Sequence, residues 1–183
     1  MAFELLLANV VLAGSAAAAP AASLADFEAH LAAHDSATEA LQQWCHARRI
    51  GQGPIRARVI GAQSNDPPAR MRDILGLDAD DALGMRNVRL SCDETVLSVA
   101  WNWYAPSRLT PEMNAALADS DVPFGKVAGA LRFRRETIDV IPGTAENCPR
   151  DTISTHRALL RLPSGAPLAY LIECYTAANL AAR

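Results

Sequence analysis

Apolar residues in the first part of this chain recur at helical spacing, and from Met85 onward they alternate as in strands. Phe27, Leu31, Leu41 and Trp44 predict helix between Phe27 and His46. Asp35-Ser36 interrupts that run and predicts a cap for a second helix, one side-chain oxygen accepting from the backbone near Thr38 and Glu39. Gly51-Gln52-Gly53-Pro54 ends it. Ile55 to Ile60 sets Ile, Ala and Val against Arg56 and Arg58, the period of a half-exposed strand. Asn65 to Pro68 reads as a turn, and Pro67 to Leu75 as a short helix closed by Gly76. Met85 to Ser91 and Thr95 to Tyr104 flank Cys92-Asp93-Glu94 and predict a hairpin. Thr110-Pro111-Glu112 opens a helix running through Leu117, with Pro at the first helical position. Val122 to Gly125 reads as a loop and Val127 to Leu131 as a short apolar stretch. Phe133 to Val140, Ser154 to Leu162 and Leu168 to Tyr175 are three further strands, the last two joined by a turn at Pro163 to Pro167. Helices near the N-terminus and in the middle, with a mostly antiparallel sheet, make an α+β domain.

Composition narrows the function classes. With 183 residues, 50% of them hydrophobic, the chain can bury one sizeable core. A net charge of -3 and a pI of about 5.8 give no electrostatic ground for nucleic acid or an anionic membrane as partner. Leu5 to Gly14 is apolar and is followed by Ser15, four alanines and Pro20, small residues that suit signal peptidase. The run is too short to span a bilayer as a helix. Against a signal peptide, Glu4 stands where Lys or Arg is usual; the other reading is an Ala-rich first helix packed on the domain. The expectation is a leader over 1–22, a single domain over 23–183, and export to the periplasm or beyond the cell without stable membrane anchoring.

Cys45, Cys92, Cys148 and Cys174 lack metal-ligand spacing, so no zinc site is expected. An even count in an exported chain reads as disulfides. Cys45 with Cys92 is the favoured pair, because two elements near in sequence and packed together need least adjustment to meet. His30 and His34 fall on one helical face, but no third ligand is visible, so no metal is expected there either.

Alternation assigns faces in the strands. Val96, Ser98, Ala100, Asn102 and Tyr104 share one face of their strand; Leu97, Val99, Trp101 and Trp103 share the other. Ala169, Leu171, Glu173 and Tyr175 share a face of the last strand. A carboxylate in so apolar a strand is costly to bury unless it is paired or functional.

Asp35-Ser36-Ala37-Thr38, the run Leu97 to Pro106 (LSVAWNWYAP), Val122 to Lys126 (VPFGK), His156 to Leu162 (HRALLRL) and Leu171-Ile172-Glu173 occur in one order along the chain. Together they resemble the chorismate pyruvate-lyase family from about Leu31 to the C-terminus. The resemblance implies a curved, mostly antiparallel sheet with helices packed on one face, enclosing a small aromatic or carbocyclic acid. It implies a carbon-oxygen lyase that eliminates pyruvate from chorismate to leave 4-hydroxybenzoate, with no cofactor. Glu173 falls on the family's Glu, which bonds the ring-oxygen end of the ligand and is the candidate catalytic residue. Ala37, Asn102 and Phe124 complete the implied ligand-binding set. Asn102 stands where the family has an Arg that clamps the ring carboxylate, and a neutral amide cannot replace that charge. Arg132, Arg134, Arg135 and Arg157 are the basic residues available to take over, although solvated charge and pairing with Glu136 or Asp139 account for most of them.

The same fold serves as the effector domain of winged-helix regulators. Only some thirty mostly apolar residues precede the domain here, so a regulator is not expected. The alternative to a lyase is a non-catalytic, exported small-ligand-binding protein on the same fold.

Overall fold

A computed structural model describes residues 22–61 and 68–181. The leader expected over 1–22 falls almost wholly outside them. The elements are α1 (Leu24–Ala32), α2 (Ala37–Ala47), β1 (Ile55–Gly61), α3 (Pro68–Leu75), β2 (Gly84–Cys92), β3 (Thr95–Tyr104), α4 (Pro111–Asp119), α5 (Phe124–Ala128), β4 (Arg134–Pro142), β5 (Thr152–Arg161) and β6 (Pro167–Thr176). The six strands form one open antiparallel sheet in the order β1-β2-β3-β6-β5-β4.

Local chemistry fixes the helix starts. Ser23 caps α1 through a box with Asp26, and Ser36 caps α2 by accepting the N–H of Glu39. Thr110 caps α4 ahead of Pro111. The expected loop at Val122 to Gly125 is instead the start of α5, because Pro123 places its carbonyl to receive the N–H groups of Lys126 and Val127.

The sheet separates two apolar layers. Phe27, Leu31, Leu41 and Trp44 of α1 and α2 pack on Ile55, Val88, Leu90, Ala100 and Tyr175. Leu117, Phe124 and Ala128 of α4 and α5 continue that side over Tyr104, Leu160, Ala169 and Leu171. On the opposite side Met71 and Leu75 of α3 cover Val99, Trp101, Trp103, Tyr170 and Ile172. The helices are therefore not confined to one face: α3 crosses the other, drawn by the large apolar surface of the two tryptophans.

A bulge near Leu90 and Ser91 leaves β3 one residue longer than its partner, with Ser91 opposite Val96 and Leu90 opposite Ser98. This breaks the strict alternation expected for β3. Leu97 turns into the layer under α1 and α2, away from Trp101 and Trp103.

Cys45 is joined to Cys92, tying α2 to the end of β2, and Cys148 to Cys174, tying the β4–β5 loop to β6. Among the described residues no helix is long and apolar enough to cross a membrane.

Candidate functional site

Glu173 on β6 is buried at 3% exposure, and its carboxylate is fully engaged. Arg135 at the start of β4 meets it as a fork: Nη1 donates to Oε1 at 3.2 Å and Nη2 to Oε2 at 2.5 Å. The Tyr175 hydroxyl donates to Oε2 at 3.0 Å. Burial opposes the charge on Arg135, but the Glu173 carboxylate beside it more than offsets this and holds the guanidinium above its ordinary value. Burial likewise raises the Tyr175 hydroxyl well above its usual range, and the neighbouring Glu173 adds to the rise. Of the four arginines considered as stand-ins, Arg135 makes this buried pair and Arg157 reaches Asp139 at 3.4 Å. Glu136 is taken by Arg161.

Asn102 rises from the same side of the sheet as Glu173. Their strands pair so that Ala100 faces Glu173 and Asn102 faces Leu171, which sets the two side chains on a diagonal. Asn102 is 6% exposed, and its amide makes no hydrogen bond to any described residue. A small cavity of about 30 Å³ lies against it, lined by Ala37, Thr38, Asn102, Phe124, Arg135 and Glu173 among others. The structure thus brings Ala37, Asn102, Phe124 and Glu173 around one space.

That space is far smaller than the enclosure implied by the resemblance. It has room for about one water molecule, not an aromatic ring. The reason is visible in the lining: the Arg135 side chain crosses to Glu173, and the Phe124 ring packs 5.5 Å from Tyr104. A groove of about 580 Å³ adjoins it, sharing Asp35, Ser36, Thr38, Gly125 and Phe133 and adding Gln42, Gln43, Lys126 and Arg132. Gly125 makes this junction possible, since a Cβ there would collide with the hydroxyls of Ser36 and Thr38. The first turn of α2 lines the same junction, and a helix N-terminus favours negative charge. A second groove, about 560 Å³, runs past β1 between Arg56, Arg58, Arg89 and Asp119 to Asp121.

Behind Glu173 runs a buried polar chain. His156 lies opposite Glu173 on β5, and its Nε2 is 3.2 Å from the Ser154 hydroxyl, which donates to Glu28 of α1 at 2.7 Å. Burial lowers the imidazole below its ordinary value; Glu173, Glu28 and Asp139 oppose that drop and Arg135 adds to it. Below about pH 6.5 the unfolded chain therefore binds a proton at His156 that the folded chain refuses. Stability at this residue should fall as pH drops through that point. Urea unfolding from about pH 7 to pH 5.5 should show the loss, and His156→Gln should flatten it. An unchanged slope in that variant would remove His156 from the account.

His30 lies on α1 and His34 just beyond its end, so the two do not share a helical face as expected. His30 bonds to the Ala40 carbonyl, His34 to the His30 carbonyl and Gln43, and their rings lie 4.7 Å apart. No group of three metal-ligating side chains forms among the described residues.

Arg86 is the residue that sequence reading missed. It lies directly opposite Asn102 on β2 and is 5% exposed. Counting both strands back from the Cys92-Asp93-Glu94 turn could have placed it within a residue; the bulge blurs that count.

Solved structures that share this fold include ligand-binding domains of transcription regulators. The ligand-binding domain of a GntR-family regulator from Bordetella bronchiseptica aligns with a TM-score of 0.50 at 15% identity, over 73% of this chain and 90% of that one. The effector domain of PhnF from Mycobacterium smegmatis aligns with a TM-score of 0.56 at 12% identity, over 78% of this chain and 89% of that one. These likenesses establish the chorismate-lyase-like effector-domain fold. In sequence, the chain is 30% identical over 175 residues to the uncharacterised protein y4mC of Sinorhizobium fredii, covering 85% of this chain and 74% of that protein. It belongs to the same family as y4mC. No protein-family model matches the chain.

Proposed function

We propose that this domain binds a small organic molecule without transforming it, the ligand lying in the groove beside α2 with a polar end at Asn102. The observation that carries the reading is the Asn102 side chain: buried, unpartnered among the described residues, and facing a cavity at the floor of a larger groove. The Asn102 amide is not sealed in the core but lines the cavity, where a ligand's polar group can exchange hydrogen bonds with it. The effector-domain fold supports the same reading, and the resemblance makes an aromatic or carbocyclic acid the first class to test. Pyruvate elimination is the weaker alternative, because Glu173 is committed to Arg135 and the family's carboxylate-clamping Arg is absent. The two disulfides support an oxidising compartment, and with the apolar N-terminal run they support export.

Calorimetric titration with 4-hydroxybenzoate tests the site. Binding is expected in the unmodified chain and should weaken roughly tenfold or more in Asn102→Leu. Undiminished binding in that variant would place the ligand elsewhere. Conversion of chorismate to 4-hydroxybenzoate above the uncatalysed rate would overturn the non-catalytic part.

A further inference from the structure

Arg86 is a buried positive charge that the hydrogen-bonding reading of the site leaves unused. Residues directly opposite in an antiparallel pair stand about 5 Å apart at Cβ and on one face, so Arg86 and Asn102 rise side by side. Its Nη1 and Nη2 donate to the carbonyls of Val122 and Ser120, each at 3.3 Å. Its Nε is buried without an acceptor. Among the described residues no carboxylate forms an ion pair with it. Arg135 differs in kind, since Glu173 cancels it across two bonds. Asp35 at the cavity rim is exposed to solvent and accepts the backbone N–H of Arg135 at 2.9 Å. Arg86 does not itself line the cavity; it lies behind it as a cation without an ion-pair partner among the described residues, on the strand next to Asn102. The first turn of α2 lines the cavity and adds partial positive charge there.

Resting on the reading of this cavity as a ligand site, we propose that Arg86 sets its charge preference, so that the Asn102 end selects an oxyanion group such as a carboxylate. Asn102 supplies the direct hydrogen bond and Arg86 supplies the charge from the neighbouring strand. Arg86 is a positioning residue, because its Nη atoms hold the α4–α5 loop and its Nε is sealed from the cavity. A buried guanidinium held only by neutral carbonyls retains its charge, and an anion bound beside it meets little screening.

A matched pair of probes separates this role from simple support of the loop. 4-Hydroxybenzoate and its neutral isostere 4-hydroxybenzamide are titrated into the full, oxidised chain and into Arg86→Lys and Arg86→Met. The unmodified chain should prefer the carboxylate by roughly tenfold or more, the scale of one nearby charge in a partly buried site. Arg86→Lys should keep that preference. Arg86→Met should lose it, the ratio falling toward one while binding of the amide holds. Parallel weakening of both probes at a constant ratio would show a purely structural Arg86 and overturn the inference, leaving the ligand site standing. Equal binding of the two probes by the unmodified chain would overturn it as well. Failure of both probes to bind, or indifference of both to Asn102→Leu, would remove the underlying site and the inference together. A readout without substitution guards against a variant that does not fold: the carboxyl of bound, ¹³C-labelled 4-hydroxybenzoate should titrate below its value in free solution. A value unchanged or raised would overturn the proposal.

Discussion

Arg135→Met is expected to lower the stability of the domain by about 3–5 kcal/mol, the cost of leaving a buried charge without its partner. The pair is 6% and 4% exposed at its two side chains, so the isolated Glu173 carboxylate has little solvent to turn to. Its remaining described hydrogen bond would be the Tyr175 hydroxyl. The double variant Arg135→Met with Glu173→Leu should recover most of the loss, because a packed apolar pair can replace a buried ion pair at little net cost. Arg161→Met provides the contrast. Its pair with Glu136 is 38% and 56% exposed, and breaking it should change stability by less than about 1 kcal/mol. Urea unfolding of the four proteins decides the matter. Equal, small losses in Arg135→Met and Arg161→Met would mean that the buried fork is not formed in solution.

Loss of the disulfides should weigh about as much. The Cys45–Cys92 link spans a sequence separation of 47 and the Cys148–Cys174 link a separation of 26. On the chain-entropy account these closures are worth about 4 and about 3.5 kcal/mol. Cys45→Ala with Cys92→Ala should therefore destabilise strongly, and it should also loosen α2, whose first turn lines the cavity. Thermal unfolding with and without reductant measures the effect. A midpoint that reductant leaves unmoved, with four thiols then free by mass, would show that neither link contributes to stability.

Much of the fold was legible because its signals are local. The Ser36 cap, Pro111 at the start of α4, the left-handed Gly76 after α3 and the hairpin about Asp93 are each written in a few adjacent residues. Alternation sorted Asn102 and Glu173 onto faces of their strands without saying which face is inward, and the ordered signatures grouped them with Ala37 and Phe124. What stayed hidden depends on register and on contacts far apart in sequence. The bulge in β3 sent Leu97 to the other layer, and α3 settled on the tryptophan face, which no local pattern dictates. Arg135 looked like one of several solvated strand charges. Its pairing with Glu173 depends on β4 reaching β6 across β5, a relation visible only once the sheet order is known. Arg86 was hidden for the same reason.

The central claim is that ligand enters at the junction of α2, α5 and the sheet, with Asn102 at its floor. The most direct measurement is the ¹⁵N-amide spectrum of the full, oxidised chain titrated with 4-hydroxybenzoate. The account predicts saturable shifts concentrated at Ala37, Thr38, Asn102, Gly125 and Glu173, with little change at Arg58 or Arg89 in the groove past β1. Shifts confined to that second groove, or spread without saturation over the surface, would contradict it.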